Sequence, residues 1–315
     1  MITAMVIVVL VATLAAGMMW QQWRAVQVES AERSRDESYW ILQGALDWAR
    51  LILREDAKSS GNIDHLGEPW ATPLAEARLS SFLAADDDNS SDAPDAFLSG
   101  AITDAQSRYN LRNLIVQGKV SPQEFKVFTR LCASAGVPQA EAQTIADQLQ
   151  LAAAPGPQAL GTAGTAGTTT HPLMPQHFDQ LRWLGVDQDV LDRLHPFVTL
   201  LPVVTAVNIN TASKEVLAAV IDDMDLGTAQ RLIDIRRTSP FKSIADAAKA
   251  LGRAELSGSS IGVASSYFEV SGRLRLEDRV VEQRYLVVRL GYDVIPLFRQ
   301  RTAGIDPIAA LAPQH

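Results

Sequence analysis

Met1 to Trp20, MITAMVIVVLVATLAAGMMW, carries no charged side chain, and Arg24 is the first charge in the chain. About 20 apolar residues rising 1.5 Å each cross the hydrocarbon core of a bilayer, and a single segment in lipid can satisfy its backbone only as a helix. A cleaved secretory signal has a basic start, a shorter apolar run and a small-residue cleavage site; the basic start is missing here. The stretch therefore reads as a membrane anchor, with Met1, Met5, Val9, Thr13, Met18 and Trp20 spaced along it. Trp20 and Trp23 suit the interfacial aromatic belt, and Arg24 lies just beyond. The helix is predicted to continue into water. Leu42, Ala45, Leu46, Ala49, Ile52 and Leu53 recur at offsets of three and four, the spacing of one helix face. Glu29, Glu32, Arg33, Arg35, Asp36 and Glu37 form a solvated stretch between membrane and packed part. The result is one long helix, half in lipid and half in a soluble domain.

The 315-residue chain has a net charge of −8 and a pI near 5.2. Non-specific grip on nucleic acid comes from clustered Lys and Arg, so the balance works against a whole-chain nucleic-acid binder. The lone cysteine, Cys132, excludes an intramolecular disulfide. Its helical spacing from Phe128 and Leu131 marks it as a small buried apolar residue.

Asn62 to Asp95 reads as loop and short structure, ending in ADDDNSSDAPD. Its five carboxylates, Asp86, Asp87, Asp88, Asp92 and Asp95, could collect calcium, since hard cations want several oxygens. The stretch has neither the central Gly nor the closing Glu of an EF-hand loop, and a solvated acidic loop is the preferred reading; a calcium-dependent docking module is the alternative built on it. Phe97 to Leu114 resembles a strand, a tight turn and a short extended piece. Helical spacing runs from Ser121 to Leu151, with Ser121 as N-cap and Pro122 at the first helical position. Residues 151 to 175, rich in Gly, Ala, Thr and Pro, read as a mobile loop. Helical spacing returns at Phe178 and persists through Leu251. The period then becomes two: Phe268, Val270, Gly272, Leu274 and Leu276 alternate with polar residues, and Tyr285, Val287 and Arg289 alternate with Leu286, Val288 and Leu290. EDRVVEQ is expected to connect these two strands, and Gly291 to Phe298 to add a third. A sheet interrupted by a helical insertion accounts for this order.

VNINTASKEVLAAVIDDMDLGTAQRLIDIRR, from Val207, outlines a helix-hairpin-helix. Thr211 or Ser213 can cap a first helix from Ser213 to Ile221; Met224 to Gly227 is expected to form the hairpin and Thr228 to Arg237 the second helix. Nucleic-acid-binding versions carry Gly, an apolar residue and Gly in the hairpin, so that bare amides approach a phosphate. Here Asp225, Leu226 and Gly227 stand at those places, with Asp222 and Asp223 beside them. Between Ala206 and Leu251 six basic residues meet six acidic ones. The unit reads as packing or protein docking, with no nucleic acid expected. The five histidines form no HxxxH or HExxH pair, and GxSxG, GxGxxG and phosphate-loop motifs are missing from the sequence; nothing points to an enzyme.

The long helix running into ILQGALDWARLILREDA, EPWATPL (Glu68 to Leu74), SGAITDAQSRYNLRNL (Ser99 to Leu114) and VNINTASKEVLAAV together resemble the minor pseudopilin K of bacterial type II secretion systems, the general secretion pathway protein K family. VNINTAS also resembles the membrane-anchored competence receptor for DNA uptake, the alternative assignment. Such receptors are usually shorter and basic and keep the hairpin glycines.

The resemblance to pseudopilin K implies an α+β, pilin-like fold: a long N-terminal helix on an antiparallel sheet, with a large all-α domain inserted in the sheet. The expected boundaries are 1–23 for the transmembrane part, 24–118 for the first pilin-like part, 119–264 for the inserted domain with its helix-hairpin-helix-like unit at 206–252, 265–301 for the closing strands and 302–315 for a tail. It implies inner-membrane anchoring with the bulk in the periplasm, partnership with the minor pseudopilins I and J, the secretion machinery and cargo, and a place at the pseudopilus tip. It also implies cleavage of a short basic leader and N-terminal methylation, at Met1 if Met1 follows the cleavage point; otherwise the true start lies upstream. Major pilins carry Glu at mature position five, where this reading puts Met5, and such a carboxylate pairs with the terminal ammonium of the adjacent subunit. No cofactor is required; structural calcium is compatible with the resemblance, which assigns no ligands.

Overall fold

The structure, a computed structural model, describes residues 1–59, 61–79, 96–154, 172–276 and 279–305. Helix α1 (Ile2–Ser59) is 58 residues long, about 87 Å at 1.5 Å per residue. Its buried residues are Ser38, Leu42, Leu46, Ala49, Leu53 and Asp56, one stripe at offsets of three and four. Before Ser38 every residue is exposed except the partly covered Ala31 and Ser34.

The stripe packs on a five-stranded antiparallel sheet ordered β1-β2-β3-β4-β5, with β1 at Leu74–Arg78, β2 at Ala96–Asp104, β3 at Tyr267–Leu276, β4 at Arg279–Leu290 and β5 at Asp293–Ile305. Registers Leu98↔Leu274↔Val281 and Ile102↔Val270↔Tyr285 put one apolar face under the helix. Leu42 meets Ala96, Leu98, Leu274 and Val281, whereas Leu46, Ala49 and Leu53 meet Ile102, Phe268, Val270 and Tyr285. Gly100 and Gly272 face each other across β2 and β3. A Cβ on Gly272 would stand 3.2 Å from Leu42, and one on Gly100 would stand 2.8 Å from the Ser271 carbonyl, so the helix and strands approach this closely only over glycine.

Between β2 and β3 lies an all-α domain with its own core. It contains α2 (Pro122–Ser134), α3 (Gln139–Ala153), α4 (Gln188–Leu194), α5 (Lys214–Val220), α6 (Leu226–Thr238) and α7 (Ile244–Ala250). Ser121 caps α2 by accepting from the Glu124 amide, with Pro122 behind it. Phe128, Leu131 and the fully buried Cys132 belong to this core, together with Leu181, Leu191, Val216, Leu217 and Leu232. The helical run expected from Ser121 to Leu151 is broken at Gly136, whose φ is +67°, and Pro138.

Five expectations need correction. The insertion begins after β2 and not at 119, since Tyr109, Leu111 and Leu114 already lie in its core. EDRVVEQ is not a connection: Arg279 to Gln283 are the first residues of β4, and Val281 pairs with Leu274 in the core. Alternation between inward Val281 and Gln283 and outward Val280 and Glu282 makes this a strand despite its charges. The third closing strand runs from Asp293 to Ile305, beyond both Phe298 and the expected boundary at 301. Leu151 to Ala153 end α3 and are not loop. In the hairpin, Leu226 and Gly227 are already the first turn of α6. Asp86, Asp87, Asp88, Asp92 and Asp95, residues 155–171 of the expected mobile loop, and residues 306–315 of the tail lie outside the described residues.

Candidate functional site: the domain junction, the hairpin and the free helix face

The chain leaves the sheet at Asp104 and re-enters it at Tyr267; VNINTAS closes the gap between these two points. Val207 and Asn208 pair in parallel with Ile261 and Gly262, and Asn208 Oδ1 accepts from the Asn210 amide at 2.9 Å, a local turn. This aims the buried Asn208 Nδ2 at three acceptors, each 3.0 Å away: the Asp64 carbonyl, Asp104 Oδ2 and Ser265 Oγ. Thr211 and Ser265 each donate a hydroxyl to Asp104 Oδ2 at 2.6 Å, and the Gln106 amide donates to Oδ1 at 2.7 Å. Burial pushes the Asp104 carboxyl up to about 6, against the downward pull of those donors. Asn210 holds both backbone groups of Phe241 at 2.9 Å. Gln106 donates to the Ala206 carbonyl at 2.9 Å and accepts from the Ser266 amide at 2.7 Å. The motif thus clasps both chain crossings between domain and sheet.

Arg289, inward-facing on β4, extends the network to α1. It donates to Asp56 at 2.9 Å, to Asp64, and to the Ser265 carbonyl at 3.0 Å, with its guanidinium 4.9 Å from the Phe268 ring centroid. Asp56 is nonetheless pushed up to about 6, first by burial and then by the neighbouring carboxylate of Glu68.

The hairpin is closed to phosphate by its own side chains. Asp225 Oδ1 accepts from the Thr228 amide at 2.6 Å and so occupies the N-terminus of α6. That hydrogen bond holds the Asp225 carboxyl below the usual range. Asp223 adopts a left-handed φ of 53°, which short polar side chains tolerate. Asp222 pairs with Arg130 at 3.2 Å, and Arg253 donates to the carbonyls of Asp222 and Asp223.

Met1, Met5, Val9, Thr13, Met18 and Trp20 all lie exposed on α1. This segment is long and apolar enough to cross a membrane. Thr13, one of its few polar side chains, donates its hydroxyl to the Leu10 carbonyl at 2.9 Å within the helix, as a hydroxyl in lipid requires. Trp20 and Trp23 stack with ring centroids 5.4 Å apart. Nearer the sheet, Trp40, Trp48 and Leu51 are exposed. A mainly apolar groove of about 430 Å³ runs beside them between α1, the Pro69–Ala71 turn and the sheet, lined by Ala45, Trp48, Ile52, Trp70 and Leu74 among others.

Reasoning from sequence picked out the VNINTAS stretch but missed the role of its asparagines, and it missed Asp56, Asp64, Asp104 and Arg289 altogether. Of these, only Arg289 left a local signal: it shares the alternation of the inward-facing Tyr285 and Val287.

Models of the family described as "Type II secretion system (T2SS), protein K" match residues 107–203 and 207–271, which span most of the inserted domain and the clasp. The type II secretion system protein K of Pseudomonas aeruginosa is 30% identical over 297 residues, covering 89% of this chain and 84% of the relative. That of Klebsiella pneumoniae is 25% identical over 263 residues, covering 78% and 76%. Among solved structures, a chain of the GspK-GspI-GspJ complex from enterotoxigenic Escherichia coli shares the fold with a TM-score of 0.64 at 18% identity, over 86% of this chain and 98% of that one. Likeness in sequence across nearly the whole length, and in fold across helix, sheet and insertion, gives one assignment: the chain belongs to the type II secretion system protein K family.

Proposed function

We propose that this minor pseudopilin caps the tip of the type II secretion pseudopilus, where it helps to start assembly with the minor pseudopilins I and J. The observation that carries this reading is the position of the inserted domain along α1. Leu42 packs near Ala96 and Leu274, and Leu53 near Phe268, so the sheet end bearing Asp104 and Tyr267 lies by the C-terminal end of α1. The all-α domain therefore sits opposite the membrane end of the helix. Trp20 and Asp56 are 36 residues apart on α1, about 54 Å of rise, which holds the domain well above the inner membrane, in the periplasm. Bulk at that end obstructs another subunit from stacking above.

The apolar helix supports the same role. Glu29 is its first acidic residue, far outside the apolar run, so the span offers no carboxylate to the terminal ammonium of a neighbour. An unpaired charge in lipid is costly. Trp40, Trp48, Leu51 and the adjoining groove offer an apolar face for the helices of I and J, in keeping with the complex in which the E. coli structural relative was solved. The work performed is assembly by shape and apolar contact. Co-purification of the detergent-solubilised full-length chain with I and J from the same genome tests the reading. A stable ternary complex supports it; no complex from a folded chain, whether or not it is retained on duplex DNA at physiological salt, would overturn the tip reading.

A further inference from the structure

We propose that the free edge of β5 is a strand-pairing site for an extended acidic segment of a partner protein, recognised by Arg299 and Arg301. β5 ends the sheet order, and among the described residues no strand lies outside it. Its start is occupied: Arg50 and Arg54 of α1 donate to the carbonyls of Val294 at 2.8 Å and Tyr292 at 3.3 Å, and Pro296 has no amide proton. From Leu297 to Ile305 the strand holds no further proline, so its outward backbone donors and acceptors are open to another strand. The opposite edge, β1, is five residues long and irregular between Leu74 and Ala77, which makes it a poorer template.

Charge selects the strand. Arg299 and Arg301 stand opposite Tyr285 and Gln283, which face α1, and the Arg299 guanidinium lies 5.5 Å from the Tyr39 ring centroid. Both arginines are exposed, and neither makes an ion pair among the described residues. Inward-pointing charge guards an edge against pairing; two charges of one sign disfavour a second copy of β5 and admit a strand that carries carboxylates. Residues of a ligand strand opposite Arg299 and Arg301 are two positions apart and share their face, with Cβ atoms about 5 Å away, so acidic residues at i and i+2 meet both guanidinium groups. The residue between them turns to the outer face, beside Phe298 and Gln300, where a cleft of about 370 Å³ opens toward His177 and Phe178. Ile295 and Leu297 nearby are exposed. Apolar residues suit that face, so the ligand alternates acidic and apolar. Anionic lipid does not fit the same charge, because Tyr39 lies about 28 Å of helical rise beyond Trp20, several screening lengths from the membrane surface.

The test uses the full-length chain in detergent and fluorescein-labelled peptides alternating Glu with Val or Lys with Val. The Glu/Val peptide should bind and should protect amides between Leu297 and Ile305 from hydrogen exchange; the Lys/Val peptide should bind at least tenfold more weakly. Methylating the backbone nitrogens of the Glu/Val peptide removes its donors and should cost tenfold or more with the protein unchanged. Arg299→Gln or Arg301→Gln should each weaken Glu/Val binding about two- to fivefold, and Arg299→Glu combined with Arg301→Glu should reverse the preference to Lys/Val. If the double variant does not fold, the methylated peptide and the single variants decide. No binding of the Glu/Val peptide, equal affinity for the Lys/Val or the methylated peptide, protection at Leu74 to Arg78 instead, protection of the β5 amides by self-association without peptide, or displacement of the peptide by duplex DNA or anionic vesicles would each overturn the assignment.

Discussion

Asn208 Nδ2 lies 3.0 Å from Asp104 Oδ2, joining residues 104 positions apart in sequence. One belongs to the inserted domain; the other ends β2 of the pilin-like sheet. The bond is buried and shared with Ser265 and Thr211, so the orientation of the domain depends on a polar network with little water access.

Asn208→Ala removes the donor from three buried acceptors at once. Asp104 Oδ2 keeps its bonds from Thr211 and Ser265, but taking a shared donor out of a connected buried network is expected to cost about 2–4 kcal/mol. Guanidinium unfolding of the full-length chain in detergent measures it; a loss under about 0.5 kcal/mol, the range of ordinary surface changes, would mean the clasp does not hold the domain.

Asp104 makes stability depend on pH with a definite sign. Burial raises its carboxyl to about 6 from 3.8, so between those values the folded chain binds the proton more tightly than the unfolded chain. The stability this gives is complete below about pH 4 and is lost as pH rises through about 6, by roughly 3 kcal/mol for a shift of two units. The cost of Asp104→Asn, measured against the unaltered chain, should therefore be larger at pH 4 than at pH 7. A cost that grows with pH would contradict the sign.

Arg289→Leu leaves Asp56 and Asp64 buried without their guanidinium. Breaking a buried pair in this way costs about 3–5 kcal/mol, and Arg289→Lys should recover only part of it, since an ammonium cannot reproduce a fork that spans two carboxylates. Thermal unfolding of the two variants checks the order.

Restoring a hairpin glycine should not create a DNA receptor. Asp225→Gly exchanges one acceptable N-cap for another at little cost to stability, but Asp222 and Asp223 remain beside the hairpin, and five acidic residues still offset the six basic ones between Ala206 and Leu251. Fluorescence anisotropy with duplex DNA at physiological salt is expected to show no binding for either form.

Trp48 is half exposed on α1 at the rim of the apolar groove. Trp48→Arg should weaken the complex with I and J by tenfold or more, as loss of a tryptophan hot spot does, with little change in Tm. An unaltered affinity would move the docking face elsewhere on the helix.

The parts of this architecture governed by local pattern were legible in the sequence. The uncharged run before Arg24, the three-four spacing from Leu42 to Leu53 and the alternation from Phe268 to Val288 each follow from one element burying one face. β1 was hidden because Leu74 to Arg78 form an exposed edge with only Leu74 and Ala77 partly covered, and the charges of EDRVVEQ masked the start of β4. The junction was illegible for a different reason. Asp56, Asp64 and Asp104 look like ordinary surface carboxylates until residues more than a hundred positions away cover them, and no local period records such burial. VNINTAS drew notice as a helix start, but the acceptors that give Asn208 its purpose lie outside the motif.

The central claim is that the inserted domain stands at the far end of the pseudopilus from the membrane. Gold labelling of an epitope placed in the inserted domain, viewed by electron microscopy on pseudopili sheared from cells expressing the full system, tests it most directly. The account predicts label at one extremity of each filament and none along the shaft. Label distributed along the filaments, or filaments consistently unlabelled while the chain stays in the inner membrane, would contradict it.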